Sequence, residues 1–188
     1  MWAFMNIRLF DLVTLVLMTL FMWTPGVTFP KAEIPAGTVR FAILLLFLLA
    51  VRGGFHHVVN AFDWNRPGPS LVFEPCVRLS ELHPSLPSKD ASPRSFPGDH
   101  AAVALLWAGF TLLAVRNRWS PLVLGVTCFL MLPRLVSGAH FLSDDLVGGG
   151  IVTLCTLAFG AATPLLRMVS DPVYACIAPL INRLLRIW

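Results

Sequence analysis

Five stretches of the chain are apolar over membrane-scale lengths, and polar breaks separate them. A helix that crosses a bilayer needs about 20 mostly apolar residues. The pattern predicts spans over residues 7–23, 38–62, 97–115, 119–139 and 146–166. The first stops at Thr24-Pro25-Gly26, where proline and glycine cannot continue a helix. The second turns polar in its latter half: Arg52, His56 and Asn60 recur every fourth residue on one helical face. That face reads as packing and hydrogen bonding inside a bundle, with a second substrate-contact face as the other reading. Residues 63–96 are rich in proline, serine and charge and predict a hydrophilic loop. Arg116-Asn117-Arg118 predicts a tight polar turn. The tail, 170–188, sets Arg183 and Arg186 beside apolar positions and predicts an interfacial helix, with a sixth, poor span as the other reading. The expected fold class is all-α: a polytopic membrane helical bundle with about five transmembrane helices plus an amphipathic C-terminal helix, in a single domain over 1–188.

Composition agrees with that pattern. Of 188 residues, 56% are hydrophobic and 13% charged. A soluble domain is typically about half apolar and about a quarter charged. The formal charge is +4, but the basic residues are scattered among the apolar runs. Nucleic-acid binding needs a basic patch on one face, so no nucleic-acid partner is expected. Cys76, Cys128, Cys155 and Cys176 form no CxxC pair and no metal-ligand spacing, so neither a disulfide framework nor a metal site is expected. The N-terminal run lacks the small-residue cleavage site of a signal peptide.

Basic residues near span ends favour the cytoplasmic side. Lys31 and Arg40, the turn with Arg116 and Arg118, and the tail with Arg167, Arg183 and Arg186 then define that side. The long loop and the 140s junction face outward. Arg66, Arg78, Lys89, Arg94 and Arg134 also fall outside, and that excess of charge calls for a functional explanation.

Three polar clusters meet that outer face. They are Asn65-Arg66-Pro67-Gly68-Pro69-Ser70, then Ser95-Phe96-Pro97-Gly98-Asp99-His100, then Arg134 through His140 to Asp144. Charged groups at membrane depth are costly and usually functional. Arginine offers a planar fork of donors matched to phosphate oxygens. A helix starting near Pro97 leaves N–H groups for an anion at Gly98. His140 and Asp144 are four apart, so on a continuous helix the carboxylate could orient the imidazole. A neutral, oriented imidazole is a nucleophile toward phosphorus, and His100 could protonate the leaving oxygen. The chain has no DDxxD, P-loop or HExxH motif and few outer carboxylates, which favours transfer without a metal or other cofactor.

These clusters resemble the signature of the type 2 phosphatidic acid phosphatase superfamily: Lys-x6-Arg-Pro, Pro-Ser-Gly-His and Ser-Arg-x5-His-x3-Asp. Arg134, His140 and Asp144 carry the third block, with Pro133 in place of its serine. Arg66-Pro67 ends the first block, with Val59 at the lysine position. Pro97-Gly98-Asp99-His100 is the second block, with Gly98 in place of serine. The resemblance implies His140 as nucleophile, Asp144 as its orienting partner and His100 as acid. It implies that Arg66 and Arg134 bind phosphate, with Gly98, Ser95 and Asp99 of the second block beside them. The stretch Lys89-Asp90-Ala91-Ser92 before Ser95-Phe96-Pro97-Gly98-Asp99-His100 is similar to one branch, the lipid A 1-diphosphate synthases. In that reading Lys89 stands in for the missing first-block lysine. The donor would be a polyprenyl diphosphate, undecaprenyl diphosphate, and the acceptor lipid A or water. The place would be the bacterial inner membrane, among membrane lipids, with the site facing the periplasm. The opening Asn6-Ile7-Arg8-Leu9-Phe10-Asp11 resembles the start of a later span in that branch, so the expected chain lacks the usual first span. A non-catalytic lipid-binding membrane protein is the alternative from another class.

Overall fold

A computed structural model of the chain describes residues 1–24, 29–114 and 119–185. The predicted Arg116-Asn117-Arg118 turn, the Pro25-Gly26 stop and Arg186 lie outside the described residues. Among those described, the regular structure is helical throughout. A short helix α1 (Trp2–Met5) leads into α2 (Arg8–Met22). The long helix α3 (Ile34–Ala61) follows, then the loop helices α4 (Pro69–Val72) and α5 (Leu79–Leu82). The bundle is completed by α6 (Asp99–Ala114), α7 (Ser120–Val136), α8 (Gly150–Thr156) and α9 (Leu165–Leu185).

The five apolar segments are helical at their cores, and local chemistry moves their ends. Helix α7 stops at Val136, three residues before the predicted 139, because the chain turns at Gly138 with φ of +72°. That left-handed conformation suits glycine, which has no Cβ to clash. The next helix runs Asp144–Ala161 with π-helical turns at both ends. It breaks at Thr163-Pro164 rather than reaching 166, and α9 starts at Leu165. Helix α9 therefore begins ahead of the predicted tail, packs along α3, and pairs its Asp171 with Arg40 at 3.3 Å.

Two helical stretches, Lys31–Ala61 and Asp144–Ala161, are long and apolar enough to cross a membrane. Leu9–Met22, Asp99–Leu113 and Ser120–Val136 are apolar but shorter. The core gathers Phe41, Leu44 and Leu48 from α3 with Leu106, Trp107 and Phe110 from α6, joined by Val152 and Met131. The outside is apolar as well. Leu12, Leu17 and Leu20 on α2, Leu46 and Leu49 on α3, and Leu154 and Phe159 are all exposed. Apolar surface on this scale suits a hydrocarbon surround better than water.

The 63–96 loop is folded back onto the bundle rather than left in solvent. Gly68 N–H donates to the Ser92 carbonyl at 2.8 Å, and Ser70 N–H to the Gly138 carbonyl at 2.9 Å. Buried Asp90 accepts from the Ser80 N–H at 2.6 Å, while its own carbonyl takes the Ser70 hydroxyl at 2.6 Å. Lys89 N–H donates to the Asn6 carbonyl at 2.9 Å. These bonds fasten the loop to the chain's start and to the 138–140 turn.

Candidate active site

The three polar clusters converge at one end of the bundle. His140 follows the Gly138 turn, and its Nδ1 lies 2.7 Å from the Ser95 carbonyl. A carbonyl only accepts, so Nδ1 carries the hydrogen and a neutral ring keeps its lone pair on Nε2. Burial holds the imidazole below the ordinary histidine value, opposed by the Ser95 bond and the Asp144 charge and reinforced by Arg134. A ring kept neutral by burial remains a nucleophile at neutral pH.

Asp144 does not hold His140, contrary to the expectation from their spacing. The helix that would have stacked them ends at Val136, so the i,i+4 relation is lost. Asp144 is fully buried and accepts from Arg66 Nε at 3.0 Å, from a second Arg66 nitrogen, and from the Phe141 N–H at 2.9 Å. Arg66 also reaches Ser143 Oγ at 2.6 Å and lies over the Phe141 ring at 4.5 Å. The first and third clusters are thus locked together by an ion pair.

The other histidine has the carboxylate. His100 Nε2 lies 2.8 Å from Asp11 Oδ1, on helix α2. The second oxygen of Asp11 takes Lys89 Nζ at 2.7 Å, and Arg134 Nη2 lies 3.3 Å from the first. Arg134 is almost fully buried and spends its other Nη on the Lys89 carbonyl at 2.8 Å and on Asn6 Oδ1 at 3.2 Å. Fully buried Asn6 in turn donates to the carbonyls of Trp2 and Pro133.

The remaining expected phosphate ligands are occupied otherwise. The Ser95 hydroxyl donates to the Arg66 carbonyl at 3.1 Å and Gly98 N–H to the Asp144 carbonyl at 2.9 Å. Both brace the site in this state. A Cβ at position 98 would meet Asp145 Oδ1 at 2.2 Å, so glycine leaves room here that a serine would take only by displacing Asp145. Buried Asp145 has no hydrogen bond at either oxygen among the described residues. Asp99 is clasped through both oxygens by Arg52 from α3, Nη2 to Oδ2 at 2.6 Å. Arg52 thus lines the candidate site with Asp99, which favours the substrate-contact reading of its face over bundle packing.

Two polar cavities adjoin His140. One, about 330 Å³, is lined by Lys89, Asp99, His100, Arg134 and His140. The other, about 210 Å³, is lined by Arg52, His56, Arg94, Asp99 and His140. A larger, mostly apolar groove of about 460 Å³ runs between α2, α3 and α6. Its walls include Leu15, Met18, Leu45 and Leu48, and its polar end is Asp11, Lys89, Asp99 and His100.

Residues 41–167 match the family model for the PAP2 superfamily. The chain belongs to the PAP2 superfamily. It is 32% identical over 164 residues to lipid A 1-diphosphate synthase of Escherichia coli strain K12, covering 87% of this chain and 67% of that one. No solved structure matches. Membership of this phosphatase and phosphotransferase superfamily makes the protein an enzyme of phosphate chemistry on lipids. Arg52, Arg66, Lys89, His100, Arg134, His140 and Asp144 all lie inside the PAP2 match, whereas Asn6 and Asp11 lie outside it. Sequence reasoning overlooked those two. Their signal was available: a lone carboxylate in the apolar run 7–23 is costly and needs a partner.

Proposed function

We propose that the protein is a lipid phosphotransferase that moves a phosphate from undecaprenyl diphosphate to the 1-phosphate of lipid A. The reaction runs through a phosphohistidine on His140 at the periplasmic face of a bacterial inner membrane. The observation that carries the reading is the continuity of the apolar groove with the polar cavity: the groove ends at Lys89, Asp99 and His100, which also line the cavity beside His140. A ligand that fills both has a hydrocarbon chain and a charged head.

In this reading His140 Nε2 attacks phosphorus in line with the departing oxygen, and His100 protonates that oxygen. Lys89, Arg134, Arg66 and Arg52 supply the positive field that offsets charge on the transferring group. Gly98, Ser95 and Asp99 shape its floor. Three of the carboxylates at this end are held by cations, Asp11 by Lys89, Asp99 by Arg52 and Asp144 by Arg66. Asp145 alone is left without a partner among the described residues, and one carboxylate is too few oxygen ligands for a divalent ion, which favours transfer without a metal. The name of the Escherichia coli relative supports lipid A as acceptor. Five spans with the His140 end outward remain the topology of the proposal.

Hydrolysis is the second reading, because the cavities beside His140 are wide enough for water to take the phosphate. Purified protein given undecaprenyl diphosphate with and without lipid A separates them. Diphosphorylated lipid A formed only when both are present supports transfer. Inorganic phosphate released without lipid A assigns a phosphatase. No turnover of either lipid, with His140→Ala indistinguishable from the parent, overturns both. Strong inhibition by EDTA overturns the metal-free route.

A further inference from the structure

Helix α2 is largely apolar, yet it carries one carboxylate to the candidate site. Leu9, Leu12, Val16, Leu17 and Leu20 face outward. Asp11 lies on the opposite stripe with Leu15, Met18 and Met22, and Met18 and Met22 are buried in the core. An acid on such a helix is costly unless it is paired. Asp11 is paired three times, with Lys89, His100 and Arg134. Lys89 and Arg134 alone would neutralise it, so the bond to His100 is an addition that charge balance does not require.

We propose that Asp11 is a positioning residue for His100: its carboxylate accepts the Nε2 hydrogen, fixes the ring, and leaves Nδ1 to deliver a proton to the leaving oxygen. This rests on the histidine-transfer reading above. The step balances as follows. His140 Nε2 forms the N–P bond while the P–O bond to the departing lipid phosphate breaks. The proton on His100 Nδ1 passes to that oxygen, and the ring is left neutral with its Nε2 hydrogen still on Asp11. When the acceptor attacks, the P–N pair returns to His140. If the acceptor is water, its proton goes back to His100 Nδ1. A carboxylate behind the imidazole that works in this way holds the tautomer and stabilises the imidazolium, the role it has in serine hydrolase triads. The same carboxylate ties α2, which lies outside the PAP2 match, to machinery inside it. Charged groups near His100 also include Asp99 and its partner Arg52, so the effect must be traced through His100 itself.

The test is a double-mutant cycle in detergent with undecaprenyl diphosphate and with aryl phosphates of graded leaving-group acidity. Asp11→Asn should lower kcat about 10- to 100-fold with the most basic leaving group, a part of the roughly 10²- to 10⁴-fold that general acid catalysis contributes. The loss should shrink as the leaving group becomes more acidic, and KM should move little. In a His100→Gln background Asp11→Asn should cost nothing further. Asp11→Glu should recover part of the rate. A full, leaving-group-independent loss in the His100→Gln background overturns the proposal. Nitrogen-labelled histidine NMR of the unsubstituted protein decides independently of activity and of variant folding. A hydrogen-bonded Nε2–H on His100 is expected, and an Nδ1–H neutral tautomer overturns it. Absence of any turnover in the unsubstituted protein would instead count against the transfer reading, with the tautomer still deciding the Asp11 contact.

Discussion

His140 and His100 line one cavity, yet the chain surrounds them differently. His140 is set against a backbone carbonyl that fixes its tautomer, and partial burial keeps the ring neutral. His100 is set against a carboxylate that also holds Lys89. An imidazole backed by a carbonyl suits attack, and one backed by a carboxylate suits proton delivery. The difference teaches that the two roles are set by what stands behind each ring, since the rings themselves are identical.

The strongest way to break that contrast is to remove the rings in turn. His140→Ala should lower turnover of the lipid diphosphate by about 10⁴-fold or more, with no phosphoenzyme formed. His100→Gln should cost about 10²- to 10⁴-fold and still permit a phosphoenzyme with an acidic leaving group. Equal losses in both assays would erase the distinction.

The supports come next. Arg66→Ala leaves fully buried Asp144 without its cation and should destabilise by about 2–4 kcal/mol, read as a lower denaturation midpoint. Gly98→Ser forces a side chain toward Asp145 and should cost about 1–3 kcal/mol, relieved when Asp145→Ala is added. An unchanged Gly98→Ser protein would show that the contact yields easily.

The smallest effect is in pH. The His140 value is lowered in the folded protein, so between that value and the ordinary 6.5 the unfolded chain binds more protons. The stability His140 contributes is present above 6.5 and is lost as pH falls through the folded value. Activity carried by the neutral ring should therefore persist below pH 6.5 before it declines. An acidic limb at or above 6.5 would contradict the burial argument.

Much of the architecture was readable because it depends on local pattern. The apolar runs marked the helices, and the breaks marked which clusters share an end. The side-chain pairings were less readable because they depend on chain direction over long separations. Spacing and the family resemblance paired His140 with Asp144, and the Gly138 turn undid that pairing by ending the helix early. Arg52 looked like part of a packing stripe until Asp99 was found opposite it. Asp11 reaches His100 across 89 positions, a contact no local rule anticipates.

The most direct test of the account is to trap the phosphoenzyme. The protein is mixed rapidly with undecaprenyl diphosphate labelled in its terminal phosphate, quenched in alkali, digested and sequenced by mass spectrometry. An acid-labile, alkali-stable label on the His140 peptide, absent from His140→Ala, is the predicted result. Label on His100, or transfer that proceeds at the full rate with no label on histidine at all, would contradict it.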